Sequence, residues 1–115
     1  MELLVFYYFF DKIEMVIKMN DTVIYLIRHS EQYRNYVYNN NSEKESEINK
    51  KIILSIEGEE KAKLFANKDE LKNIDVLYSS DYARAVATAK YIAFNNKLTI
   101  NIDERLGERK IRNDR

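Results

Sequence analysis

Thr22-Val-Ile-Tyr-Leu-Ile-Arg28-His29-Ser30-Glu31 is the stretch that decides the fold. A run of β-branched, aromatic and aliphatic residues, short enough for one buried strand, stops at an Arg-His pair that holds the only histidine in 115 residues. In open α/β sheets, ligands bind just beyond the carboxyl ends of strands. An imidazole and a guanidinium delivered together at such an end therefore face a candidate anion site. Taken alone, the pair fits a surface or core histidine that does no chemistry better than it fits a catalyst.

Composition narrows the alternatives. A chain of 115 residues and 13.8 kDa makes one domain, with a core that removes roughly 65% of the unfolded surface from water. Nineteen Lys and Arg balance nineteen Asp and Glu, so there is no electrostatic footprint for nucleic acid or for an anionic membrane. The absence of cysteine excludes a disulfide framework and a thiolate metal site, and one histidine argues against a protein-only zinc site. A reducing cytoplasm suits this composition.

Upstream of the decisive strand, Leu3-Leu-Val-Phe-Tyr-Tyr-Phe-Phe10 is apolar but too short to span a membrane, and it lacks the basic start and cleavage site of a signal peptide. Residues 1–18 read as an N-terminal extension: an edge strand, an amphipathic helix over apolar surface, or a segment outside the domain. Met19, just before Asn20-Asp21, is where a compact domain over 19–115 would start.

Downstream, Glu31 to Lys51 is polar and asparagine-rich, and reads as a mobile surface loop. Tyr33, Tyr36 and Tyr38 within it read as packing at the domain's edge, the other reading being a pocket lining. From Ser55, a plausible N-cap, acidic Glu57, Glu59 and Glu60 precede Ala62, Phe65 and Ala66 on one face, which predicts a helix giving out near Asn67. Asp69 to Asn73 predicts a turn. Asp75-Val-Leu-Tyr-Ser79 predicts a second strand running into a Ser-Ser-Asp helix cap, and Tyr82, Val86, Ala89 and Ala93 predict a helix ending at Asn95-Asn96. Leu98-Thr-Ile-Asn-Ile102 alternates as a third strand. Strand, helix, strand, helix, strand predicts a parallel sheet with right-handed crossovers.

Arg84 falls in the first turn of the second helix, where backbone N–H groups and the helix dipole favour an anion. If the first two strands are neighbours, Arg28, His29 and Arg84 converge, and forked guanidinium donors suit phosphate oxygens. On its own, Arg84 also fits an ordinary solvated helix residue.

These residues resemble a known family. Leu26-Ile-Arg28-His29-Ser30-Glu31 with Asn35 is similar to the Arg-His-Gly-Glu-Thr-x-x-Asn signature of the histidine phosphatase superfamily, which includes cofactor-dependent phosphoglycerate mutases. Leu54-Ser-Ile-Glu-Gly58-Glu-Glu-Lys-Ala62 resembles its Leu-Thr-x-x-Gly-x-x-Gln-Ala helix start. Tyr78-Ser-Ser-Asp-Tyr-Ala-Arg84-Ala-Val-Ala-Thr88-Ala89 resembles its Ser-Ser-x-x-x-Arg-Ala-x-x-Thr-Ala block, and Asp103-Glu-Arg-Leu106-Gly-Glu108-Arg109 its Leu-x-Glu-Arg segment. The matches follow in order across residues 22 to 109.

The resemblance implies a parallel-sheet, three-layer α/β sandwich of the phosphoglycerate mutase-like type, here incomplete. It implies a phosphomonoester hydrolase or phosphomutase with a phosphohistidine intermediate and a small phosphorylated substrate. His29 would be the nucleophile, Arg28, Arg84 and Asn35 the phosphate-binding groups, and Glu108 the proton donor to the leaving alcohol. No metal and no cofactor is implied. Two departures qualify the expectation. Ser30 stands where the signature has glycine, placing a side chain where backbone would approach phosphate or adopt φ > 0. The family's second pocket histidine and further strands lie in a C-terminal half not found here. The alternatives are therefore a truncated, inactive remnant that at most binds phosphate, and an interaction protein using the Tyr-rich N-terminus. An uncovered sheet face and an open central strand edge would favour self-association.

Overall fold

The computed structural model describes residues 2–7, 13–34 and 45–107, with side chains over 16–34 and 47–107. It is a mixed α/β fold. Five strands, β1 (Glu2–Tyr7), β2 (Ile13–Met19), β3 (Thr22–Arg28), β4 (Val76–Ser79) and β5 (Ile100–Ile102), form one sheet in the order β2-β3-β1-β4-β5. Pairing is parallel except between β2 and β3, which are antiparallel. The helices are α1 (Glu45–Lys51), α2 (Ile56–Phe65) and α3 (Ala83–Asn96).

The three predicted strands are β3, β4 and β5, but the sheet has two more. β1 sits between β3 and β4, pairing Leu4 with Tyr25 on one side and with Leu77 on the other, where residues 1–18 read as an extension. An uninterrupted apolar run suits an interior strand of a parallel sheet, and its place in the sheet is set by partners far along the chain. β3 and β4 are therefore not the neighbours that the convergence of Arg28, His29 and Arg84 assumes. The sheet's edges are β2 and β5. Asn20, at φ 54, turns β2 into β3 through two residues, a left-handed conformation that asparagine tolerates.

Alternation along β3 and β4 puts Tyr25, Ile27 and Leu77 under the helices, while Ile24, Leu26, Val76 and Tyr78 are half-buried on the other face. The covered face packs with Phe65, Ala66, Leu71, Ile74, Ala89, Ile92 and Ala93 in one core. Ile27, Leu77 and Ile92 are fully buried, each contributing about 1.5–3 kcal/mol of transfer free energy.

The α2 prediction holds in its particulars. Ser55 is the N-cap, its Oγ accepting from the Gly58 N–H at 2.9 Å, and Ala62, Phe65 and Ala66 face inward. A 3-10 turn over Asp69–Leu71 follows. α3 starts after Tyr82, which provides no side-chain cap, so the predicted Ser-Ser-Asp cap is replaced by a weak 3.4 Å bond from the Tyr82 N–H to Ser80 Oγ. Lys97, at φ 56, ends the helix. The loop predicted over Glu31 to Lys51 is partly helical: α1 is anchored because Ile48 and Ile52, four apart, are both buried. Tyr33 is exposed at 41%, whereas Tyr36 and Tyr38 lie outside the described residues. No helix among the described residues is long and apolar enough to cross a membrane.

Candidate active site

The β3 alternation that buries Tyr25 and Ile27 carries on to His29, which leaves the carboxyl end of the strand 7% exposed on the helix side. Arg28, half-buried, closes β3 in register with Tyr7. Arg84 stands in the first turn of α3 and is 2% exposed. Although β1 separates β3 from β4, the length of the arginine side chain bridges the gap: Arg84 Nε lies 3.3 Å from His29 Nε2.

That contact and one other fix the imidazole's protonation pattern. His29 Nδ1 is 2.6 Å from the Ser30 carbonyl oxygen, which can only accept, so Nδ1 carries the proton. Arg84 Nε can only donate, so Nε2 presents its lone pair. Both partners select the same neutral tautomer. It leaves Nε2 unprotonated and accepting from a guanidinium, a donor that an entering anionic phosphoryl group can take over as the nitrogen attacks.

The peptide around His29 is held from two sides. From α3, Thr88 Oγ1 accepts from the Ser30 N–H at 2.9 Å and donates to the Arg84 carbonyl at 2.8 Å. From α2, the Gly58 carbonyl accepts from Ser30 Oγ at 2.7 Å, and the Ser55 N–H donates to the Glu31 carbonyl at 3.0 Å. α2 comes so close that a Cβ on Gly58 would lie 2.0 Å from the Glu31 carbonyl oxygen, so glycine is required by close approach. Ser30 itself does not have positive φ; among the described residues without a glycine only Asn20 and Lys97 do. The positive φ considered for this position is therefore not adopted. The hydroxyl is turned into the α2 backbone and is completely buried.

α1 closes another side. Arg84 Nη1 donates to the Asn49 carbonyl at 2.7 Å, Lys50 Nζ lies 3.5 Å from Asp81 Oδ2, and the Arg84 guanidinium stacks 4.9 Å from the centre of the Tyr82 ring. Glu31 pairs with Lys61 at 2.9 Å, and that hydrogen bond lowers its carboxyl pKa below the usual value. Asn35 and Glu108 lie outside the described residues. No group of three or more metal-ligating side chains is assembled among the described residues.

Thus His29 and Arg84 are brought together, with Arg28 adjacent in sequence. Sequence reading assigned no part to the Ser30 hydroxyl, Thr88, Gly58 or the Asn49 carbonyl. Thr88 and Gly58 stood in the quoted motifs, but nothing local says which backbone a hydroxyl or a missing Cβ will meet.

No curated protein and no solved structure matches the chain. A family model, that of the histidine phosphatase superfamily (branch 1), matches residues 24–113, which takes in His29, Gly58, Arg84 and Thr88. On that match, the chain belongs to the histidine phosphatase superfamily.

Proposed function

We propose that the protein transfers the phosphoryl group of a small phosphomonoester through a phosphohistidine on His29. One observation carries the reading: Nε2 of His29 lies 3.3 Å from Arg84 Nε while Nδ1 lies 2.6 Å from the Ser30 carbonyl oxygen, a pairing that suits the neutral ring with its proton on Nδ1. As the phosphoryl group enters, the hydrogen bond of Arg84 Nε–H passes from Nε2 to a phosphoryl oxygen; the Nε2 lone pair so released forms a P–N bond as the P–O bond to the leaving alcohol breaks, and Glu108 protonates that oxygen. The positive charge arising on the ring is met at Nδ1–H by the Ser30 carbonyl. Arg84, Arg28 and Asn35 neutralise the equatorial phosphoryl oxygens. Water then breaks the P–N bond in a hydrolase, or a second hydroxyl does so in a mutase. The same reading places the protein in the cytoplasm and covers the half-exposed sheet face, with further structure in a three-layer sandwich or with a second copy.

The test is phosphate release from p-nitrophenyl phosphate by the protein and by His29→Ala. Release that disappears with the imidazole is the expected result; equal rates overturn the proposal. A second reading, phosphate binding without turnover, is favoured by the near-complete burial of His29 and Arg84 and by the Asn49 carbonyl on Arg84 Nη1. It is selected if millimolar phosphate raises the melting temperature, Arg84→Ala abolishes that rise, and no phosphate is released.

A further inference from the structure

We propose that Ser30 is a positioning residue for His29: its hydroxyl ties to α2 the peptide whose carbonyl holds the imidazole with Nδ1 protonated and Nε2 unprotonated. As a role in phosphoryl transfer this rests on the reading above, but its effect on the ring can be measured separately.

Three groups of Ser30 meet three different partners. Its carbonyl accepts from His29 Nδ1 at 2.6 Å, its N–H donates to Thr88 Oγ1 on α3 at 2.9 Å, and its Oγ donates to the Gly58 carbonyl on α2 at 2.7 Å. The residue is 0% exposed, so water cannot take over any of these bonds. A carbonyl fixes a tautomer only if its own direction is fixed, since a peptide free to rotate would let the ring turn over and protonate Nε2 instead. The Thr88 bond holds the amino side of Ser30, and the Ser55 bond to the Glu31 carbonyl holds the next peptide. The hydroxyl supplies the remaining constraint, on the Cα between them. A glycine at this position, as in the family signature, has no atom with which to do so and leaves that task to the backbone alone.

Hydrogen bonds of this kind differ in strength by enough to matter. Removing one from a buried group shifts a two-state preference by roughly three- to tenfold. The Nε2-protonated fraction of His29 is the quantity on which that shift acts, because Nε2 protonation removes the lone pair that attacks phosphorus.

Because His29 is the only histidine, ring-nitrogen NMR of the full chain reads this site without assignment ambiguity. In the unaltered protein at a pH where the ring is neutral, the spectra should show Nδ1 protonated and Nε2 unprotonated; a ring protonated mainly on Nε2 overturns the proposal at once. In Ser30→Ala, and in Ser30→Gly should the alanine variant not fold, the Nε2-protonated fraction should rise about three- to tenfold. A variant that loses melting temperature while its ring keeps the original tautomer assigns Ser30 a purely structural role and overturns the proposal. If the tautomer shifts as expected but no variant, nor the parent, releases phosphate, the positioning of the ring stands and the phosphoryl-transfer reading fails.

Discussion

Ile27 and Leu77 on the covered sheet face with Ile92 of α3 against them, and His29, Ser30, Arg84 and Thr88 at the sheet's carboxyl end, are buried to a similar degree and by opposite physics. The first group is held by contact alone, so each side chain contributes in proportion to the area it hides. The second is held by directed bonds in which nearly every member serves two others: Thr88 joins Ser30 to the Arg84 carbonyl, and Arg84 joins His29 to Asn49. An apolar core loses stability by degrees, whereas a polar cluster that loses one member leaves its partners buried without bonds. The difference explains why a chain with a modest core can keep a charged guanidinium inside it.

Three measurements would break or sharpen that contrast. Leu77→Ala, in the fully buried centre, should cost about 2–5 kcal/mol in chemical denaturation while leaving the His29 tautomer unchanged. If the ring responds as strongly as the fold, the two regions are one. Thr88→Val keeps the shape but removes an acceptor for the Ser30 N–H and a donor to Arg84, and should cost about 1–3 kcal/mol. A neutral outcome would mean that the cluster is satisfied in some other way. The smallest effect belongs to an exposed pair that follows β5. Hydrogen bonds from Arg105 lower the Asp103 carboxyl from the ordinary 3.8 to about 2. A depressed carboxylate contributes stability that is present above its unfolded value and lost as pH falls through the folded one. The difference in melting temperature between the protein and Arg105→Ala should therefore be small and constant above pH 4, and vanish between about 4 and about 2. A difference that persists at pH 2 would assign Arg105 another role.

Legibility from sequence followed the range of the interactions. The Ser55 cap, the inward face of Ala62, Phe65 and Ala66, and the strands of β4 and β5 depend on neighbours a few residues away, and their spacing displays them. α1 was obscured because only Ile48 and Ile52 mark its buried side within a polar tract. The interior place of β1 was hidden altogether, since an apolar run does not name its partners. At the site, His29 and Arg84 were legible through their motif context. Their meeting was expected from adjacent strands and is achieved instead by arginine's reach across an intervening one. The Ser30 bond to Gly58 involves a hydroxyl and a backbone carbonyl, types common along the chain, so only three-dimensional proximity singles it out.

The order in which the strands are made has a consequence for how the protein is assembled on the ribosome. β1 is synthesised ahead of both strands that flank it, and Leu3 cannot meet Val76 until the whole of α1, α2 and the following turn has been translated. Such distant pairings give the chain a high contact order and a slow search for its native topology. In the interval, β3 can occupy one edge of this apolar segment, but the edge that β4 will take is unsatisfied and open to chaperones before the sheet is complete.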